Sequence, residues 1–205
     1  MSDLSGALMG KIIGLTGGIA SGKSTVSQFL REQGYQVIDA DQVVHDLQAP
    51  QGALYQVLVA EFGSEILQEN GQLNRQKLGQ MFFENPDLMR KSSQLQNEII
   101  REELARLRDQ LKEKEELFFM DIPLLFELGY ESWFDQIWLV NVSAEVQVKR
   151  LMERNHLSRE QAQKRIEAQL LLAEKRKKAH VLIDNNGSVD ETLAQVAALL
   201  EKERR

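Results

Sequence analysis

Gly17-Gly18-Ile19-Ala20-Ser21-Gly22-Lys23-Ser24-Thr25 is the stretch of this sequence whose residue types and spacing define a chemistry most narrowly. It fits the pattern G-x-x-x-x-G-K-[ST], in which backbone amides cradle phosphate oxygens, so a nucleoside triphosphate is the expected ligand. Gly17, Gly18 and Gly22 are expected to take left-handed backbone and to come close to the phosphates, so that successive N–H groups point inward as an anion nest. The whole stretch, Ile19, Ala20 and Ser21 included, is read as the nucleotide-holding loop. Lys23 adds a mobile point charge, and the helix opening at Lys23 and Ser24 adds unpaired amides and its positive dipole end. The Ser24 hydroxyl is placed to ligate a magnesium ion bridging two phosphates, and Thr25 to donate to a phosphate oxygen.

A second chemical signal is Asp39-Ala40-Asp41. A carboxylate beside a phosphate loop can accept the proton of an attacking hydroxyl or hold magnesium through water. Asp41, further out, is assigned as the base, and Asp39 as the water-mediated metal ligand. On an extended chain both would share a side. The same pair can also simply end a strand and cap the next helix. Asp121, ending a later strand next to Pro123, is a further candidate for the carboxylate facing the magnesium. Arg150 and Arg154, four apart on one helix, share a face and are assigned to neutralising charge on the transferred phosphoryl group. The three histidines show no metal-ligand spacing, and His45, one helical turn after Asp41, is the one expected to line a pocket.

These groups need elements to place them. Lys11 to Thr16 is an apolar run suited to a buried parallel strand, and Val26, Phe29 and Leu30 lie at helical spacing behind the loop. Further strands are predicted over 36–41, 117–122, 136–142 and 181–184, with helices at 144–154, 159–178 and 189–205. Residues 42–115 read as helix broken by turns at Pro50-Gln51-Gly52, Asn70-Gly71 and Asn85-Pro86, ending in a charged helix over 97–116. Strands alternating with helices imply an α/β fold: a five-stranded parallel sheet between two helical layers, with ligands at the carboxyl ends of the strands. The core is then about 10–41, 116–142 and 179–205, with helical insertions near 42–115 and 143–178. The helix after the loop descends roughly 16 Å and the next strand climbs back about as far, which returns Asp39 and Asp41 to the level of the loop.

Composition narrows the alternatives. A length of 205 residues suits one domain with an inserted part, and the absence of cysteine removes disulfides, thiolate metal sites and cysteine nucleophiles. A net charge of −6 disfavours non-specific nucleic-acid binding, although basic residues crowd 149–178 and suit a polyphosphate ligand. Within that stretch, Lys175 to Lys178 read equally well as a solvated helical face. Met1 to Gly10 has no basic region followed by an apolar stretch, and no run approaches a membrane span, so a cytoplasmic protein, by default a monomer, is expected.

Taken together, the motifs resemble the dephospho-CoA kinase family. The resemblance rests on Ile13 to Val26, Val37 to Asp41, Gly71-Gln72-Leu73-Asn74-Arg75, Ile122-Pro123-Leu124-Leu125-Phe126-Glu127, Arg165 to Gln169, and Ile183-Asp184-Asn185-Asn186-Gly187-Ser188. It implies a P-loop kinase that transfers the ATP γ-phosphoryl group, with Mg²⁺, to the ribose 3′-hydroxyl of dephospho-coenzyme A. It implies that Asp41 is the base, that the insertion at about 42–115 holds the acceptor, and that the hairpin at about 143–178 is a lid. Asp39, Asp41, His45, Arg75, Pro123 and Leu124 are then the expected substrate-binding residues, and Lys23, Arg150 and Arg154 join Asp41 as catalytic ones. Two positions depart from the family: Leu95 to Ile99 lacks its His-Pro pair, and Ala179-His180 replaces Ala-Asp, which leaves the role of His180 open. A nucleoside or nucleoside monophosphate kinase would share the core and the lid. A GTPase switch would need an Asn-Lys-x-Asp guanine reader, which the sequence lacks.

Overall fold

The computed structural model describes residues 10–204. The opening segment read for a leader, apart from Gly10, and the final Arg205 lie outside the described residues. Five strands form one sheet: β1 (Lys11–Gly17), β2 (Val37–Asp39), β3 (Leu117–Asp121), β4 (Gln136–Asn141) and β5 (Val181–Asp184). Their order is β2-β3-β1-β4-β5, with β1 parallel to both β3 and β4, and β4 parallel to β5. After β1 the chain moves to one side of it for β2 and β3 and to the other for β4 and β5. The carboxyl end of β1 is therefore the switch point of the sheet, where an open crevice forms.

The two-residue period of the strands sorts the core into layers. Ile13, Leu15, Phe119, Trp138, Val140 and Ile183 pack with Val26 and Leu30 of α1 (Lys23–Glu32) and with Val196 and Leu200 of α9 (Val189–Glu203). Leu139 belongs instead to a cluster with Val142 and with Leu172 of α8 (Leu172–Lys178). Each such fully buried aliphatic or aromatic side chain contributes about 1.5–3 kcal/mol relative to exposure. Aromatic edges complete the larger cluster, with the Phe119 ring centroid 5.5 Å from Tyr35 and 5.3 Å from Trp138. On β1, a Cβ at Gly14 would lie 2.8 Å from Leu125 and 2.9 Å from Phe134, so glycine lets those side chains close onto the strand.

The chain divides into two compact units, one of residues up to Ile38 and from Leu111 onward, the other Asp39–Gln110. The first holds the sheet, and in it α6 (Ala144–Asn155) packs on α7 (Arg159–Glu167) through Val148, Leu151 and Ala162. The second has its own small core, in which Leu58 of α3 (Ala53–Phe62) meets Ile66, Leu73 and Leu78, the last on α4 (Arg75–Glu84). Among the described residues no helix is long and apolar enough to cross a membrane.

Three element boundaries differ from the sequence reading. The strand expected over 36–41 stops at Asp39, and α2 (Ala40–Leu47) begins at once, because the Asp39 carboxylate accepts the N–H groups of Asp41 and Gln42 as a helix cap. Asp41 thus sits in the first turn of a helix and not on an extended chain. Asn85-Pro86, read as a turn, opens a long helix, α5 (Pro86–Lys112), whose first-turn donor Leu88 N–H is taken by Asn85 Oδ1 at 3.1 Å; proline suits a first helical position, where no N–H is needed. The helix expected over 159–178 is two helices, since Ala168 to Leu171 leaves the helical path between α7 and α8.

Local capping sets where α9 begins. Ser188 Oγ accepts Glu191 N–H at 3.2 Å while the Glu191 carboxylate accepts Ser188 N–H at 2.8 Å. The backbone N–H of Ser188, with its hydroxyl, holds the Glu191 carboxyl below the usual carboxylate range. A carboxyl held down in the folded state stabilises that state fully above its unfolded pKa and ceases to do so as the pH falls through its folded one. Glu191→Ala is accordingly expected to lower the thermal midpoint most at neutral pH and progressively less as the pH drops below the carboxylate range. Calorimetric melts of both proteins across that range check this, and a difference that grows on acidification would refute it.

Candidate active site

The loop between β1 and α1 turns at the switch point of the sheet, and its backbone departs from the sequence reading in one respect. Gly22 has φ +86° and caps α1 with no side-chain hydrogen bond, which leaves the first-turn amides without a side-chain partner. The other left-handed residue of the loop is Ala20, φ +59°, and neither Gly17 nor Gly18 has a positive φ. These two glycines answer a different need, close approach: a Cβ at Gly17 would lie 2.3 Å from Ser21 Oγ, and one at Gly18 would lie 2.6 Å from Gln147 Nε2.

Peptide planes that turn their N–H groups toward a ligand turn their carbonyls toward the protein, where each needs a donor. Three side chains from three different elements supply them. Gln147 of α6 donates to Ile19 O at 2.9 Å, Asn185 after β5 donates to Ser21 O at 2.7 Å, and Lys175 of α8 donates to Gly17 O at 3.3 Å. Asn185 is itself fixed by Thr192 of α9, whose hydroxyl donates to Asn185 Oδ1 at 2.7 Å. Gln169, in the break between α7 and α8, accepts Ile19 N–H at 3.2 Å. All of these partners belong to the unit that carries the sheet.

At the foot of the loop, Lys23 Nζ donates to the Asp121 carboxylate at the end of β3, and the Asp121 side chain is 4% exposed. Arg150 donates to Asn185 O at 2.9 Å, and its Nη1 would lie 3.8 Å from a Cβ at Gly22, so its guanidinium stands beside the loop. Arg154, one turn on, is exposed and bonds the side chain of Asn155. Pro123 O accepts from Thr16 Oγ1 at 3.1 Å, which draws the segment after β3 against β1, with Pro123 and Leu124 half-buried. Ser24 is exposed in the first turn of α1 and Thr25 N–H closes a turn on Gly22 O.

Ser24 Oγ and the Asp121 carboxylate are hard oxygen donors of the kind magnesium takes when substrate phosphates supply other ligands. No group of three or more His, Asp or Glu side chains gathers as a metal cage among the described residues, and a phosphate-bound magnesium needs none.

The second unit brings other expected residues together. Asp41 and His45 are both exposed and one turn apart on α2. Arg75 donates to His45 Nδ1 at 3.2 Å, and the two line a cleft of about 410 Å³ with Gln48, Gln72 and Asn74. Asn74 caps α4 by accepting Lys77 N–H at 3.0 Å, which sets Arg75 at the first position of that helix. His180, whose role the sequence left open, is structural: its Nδ1 accepts Ile137 N–H at 3.1 Å and its N–H donates to Ile137 O at 3.0 Å, extending the β4–β5 pairing.

A parallel sheet whose first strand runs into an amide-lined loop, backed by a lysine and a carboxylate at the strand ends, defines the P-loop phosphotransferase class. Comparison with known proteins narrows this to one family. The chain belongs to the dephospho-CoA kinase family, whose model matches residues 11–191. It is 57% identical over 197 residues to the dephospho-CoA kinase of Streptococcus pneumoniae serotype 4, covering 96% of this chain and 98% of that protein. Among solved structures it is similar to one from Thermus thermophilus, with TM-score 0.75, 33% identity and coverage of 94% of this chain and 97% of the other. It is also similar to the dephospho-CoA kinase from Campylobacter jejuni, with TM-score 0.70, 27% identity and coverage of 94% and 98%.

Sequence reasoning did not assign Gln147, Gln169, Lys175 or Asn185 a place at the loop. Gln169 and Asn185 fall in segments that carry the family resemblance, which was the available signal. Gln147 and Lys175 are glutamine and lysine on polar helices and carry none. The dependence of the loop on Gly22 is open to test. In Gly22→Ala, left-handed strain of about 1–3 kcal/mol adds to a contact of the new Cβ with Asn185 Nδ2 at 2.1 Å. The variant is expected to melt at a lower temperature and to bind MgATP at least about tenfold more weakly by titration calorimetry. Parent-like values in both measurements would show that the loop tolerates a side chain there.

Proposed function

We propose that this chain makes coenzyme A from dephospho-coenzyme A, transferring the γ-phosphoryl group of ATP to the ribose 3′-hydroxyl in the last step of coenzyme A biosynthesis. The observation that carries the reading is the phosphate loop with its carbonyls held back toward the protein, in a chain of the dephospho-CoA kinase family. The loop from Gly17 to Thr25 receives the polyphosphate of ATP, and Lys23 exchanges Asp121 for phosphate oxygens. Ser24 Oγ with Asp121 and, through water, Asp39 would hold a magnesium ion, which when bound would supply positive charge against the phosphates of ATP. His45 and Arg75, in the Asp39–Gln110 unit, are assigned to the acceptor, and Pro123 and Leu124 to substrate binding.

In the transfer, the ribose 3′ oxygen forms a bond to the γ-phosphorus as the bond from that phosphorus to the bridging oxygen breaks, and ADP leaves. Asp41 takes the proton of the attacking hydroxyl. Arg150, next to the loop, and Arg154, one turn on in the helical lid of residues 143–178, stabilise charge on the transferred group. The reading carries with it a cytoplasmic enzyme acting as a monomer on two small molecules.

Offering ATP and Mg²⁺ with dephospho-coenzyme A, AMP, CMP, UMP or adenosine separately, and measuring ADP formation, tests the acceptor. Turnover is expected with dephospho-coenzyme A, and turnover confined to a nucleoside monophosphate would overturn the assignment. Asp41→Asn is expected to lower kcat by about 10²–10⁴ with ATP affinity nearly unchanged, and undiminished kcat would remove Asp41 as the base. Lys23→Ala is expected to impair both ATP binding and turnover, which the same assays report.

A further inference from the structure

Lys175 is a fully buried charged side chain beside the loop to which the transfer reaction gives no part. It is completely buried, among neighbours on α8 that are not: the side chains of Lys177 and Lys178 are 70% and 50% exposed and pair with Glu174 and Glu131. A lysine ammonium has three N–H donors and no acceptor. All three find oxygens here, in the Glu127 carboxylate at 2.9 Å, Gly17 O at 3.3 Å and Pro123 O at 3.3 Å.

The placement of those oxygens is informative. Gly17 is the last residue of β1 and the first of the phosphate loop, and Pro123 follows the end of β3 by two residues, beyond Asp121. Glu127 also accepts Leu170 N–H at 3.0 Å, and the adjacent Gln169 accepts Ile19 N–H at 3.2 Å. The break between α7 and α8 and the body of α8 are therefore fastened to the loop at two points. A lysine buried for the sake of an ion pair is seldom the most stabilising way to fill such a space, since an apolar side chain of similar size does as well or better. What a lysine adds over an apolar residue is direction, because its ammonium fixes where two specific carbonyls point.

We propose that Lys175 is a positioning residue for phosphoryl transfer: by bonding Gly17 O and Pro123 O at once, it sets the entrance of the phosphate loop against the end of β3 and ties α8 to both. Neutralising Glu127 is the lesser part of its role. The proposal rests on the reading of the loop as the ATP site.

Lys175→Met removes the ammonium and leaves the partly exposed Glu127 carboxylate without this cation. The double variant Lys175→Met/Glu127→Gln removes both charges and keeps an oxygen for Leu170 N–H. Thermal midpoints, kcat and KM for ATP, and MgATP affinity by calorimetry are measured for the parent and both variants. The single variant is expected to lose stability and roughly 100-fold in kcat/KM for ATP, the scale on which displacement of a reacting group by about 1 Å acts. The double variant is expected to regain most of the thermal midpoint while kcat/KM and MgATP affinity stay at least about tenfold below the parent. Should turnover and affinity return together with stability in the double variant, Lys175 only balances Glu127 and the proposal falls. Should the single variant not fold, the double variant decides alone by the same criterion. Failure of the parent to bind MgATP would instead strike at the reading of the site itself.

Discussion

Turning a run of backbone amides toward an anion forces the opposite ends of the same peptide planes back into the protein, and the architecture around residues 17–25 follows from satisfying those carbonyls. A buried carbonyl without a donor costs about 1–3 kcal/mol, so a nest of this kind is stable only where donors stand behind it. Gln147, Lys175 and Asn185 come from α6, α8 and the segment after β5, and each takes one carbonyl, at positions 19, 17 and 21. The close approach of Gln147 and Ser21 leaves no room for a Cβ at Gly18 or Gly17. Amides prearranged in this way need no reorganisation when negative charge arrives, which is the main source of electrostatic catalysis.

Charge around the loop is arranged in the same spirit. Lys23 rests on a buried carboxylate at the end of β3, so an ammonium is kept at the loop without being stranded. Arg150 is held beside Gly22 through Asn185 O, and Asn185 is in turn fixed by Thr192 on the core-facing side of α9. The apolar layer formed by α1 and α9 on the sheet therefore does more than stabilise the fold. It fixes, through Thr192 and Asn185, the position of one loop carbonyl and one guanidinium.

The resemblance between this chain and other P-loop proteins differs in kind along its length. The loop and the apolar strand before it are legible because glycine, lysine and hydroxyl residues recur there at a fixed spacing, although the glycines answer to close neighbours in the protein as much as to a ligand. The five strands are legible as short apolar runs, and the structure has five strands near the expected places. The Asp39 carboxylate caps α2, the arrangement that the sequence also allowed for this pair of aspartates. Asn85-Pro86 was misread because a proline that ends a turn and a proline that begins a helix look alike until the following residues are seen to pack. The interruption at 168–171 was missed because the residues responsible, Gln169 and Leu170, bond to atoms of Ile19 and Glu127 that are distant in sequence.

Sequence alone determined the anion loop, the short apolar runs alternating with helical segments that make a parallel sheet with helices on both faces, and the presence of paired carboxylates and arginines that suit phosphoryl transfer. These are properties of near neighbours, set by sterics, periodicity and the needs of a phosphate. Only the tertiary structure decided the order of the strands and which lysine in the run from 175 to 178 is buried. It also decided which side chains stand behind the loop. The reason is that helical spacing separates the faces of α8 from one another but does not say which face meets the core, and a backbone carbonyl can take its donor from any element that the fold brings within about 3 Å.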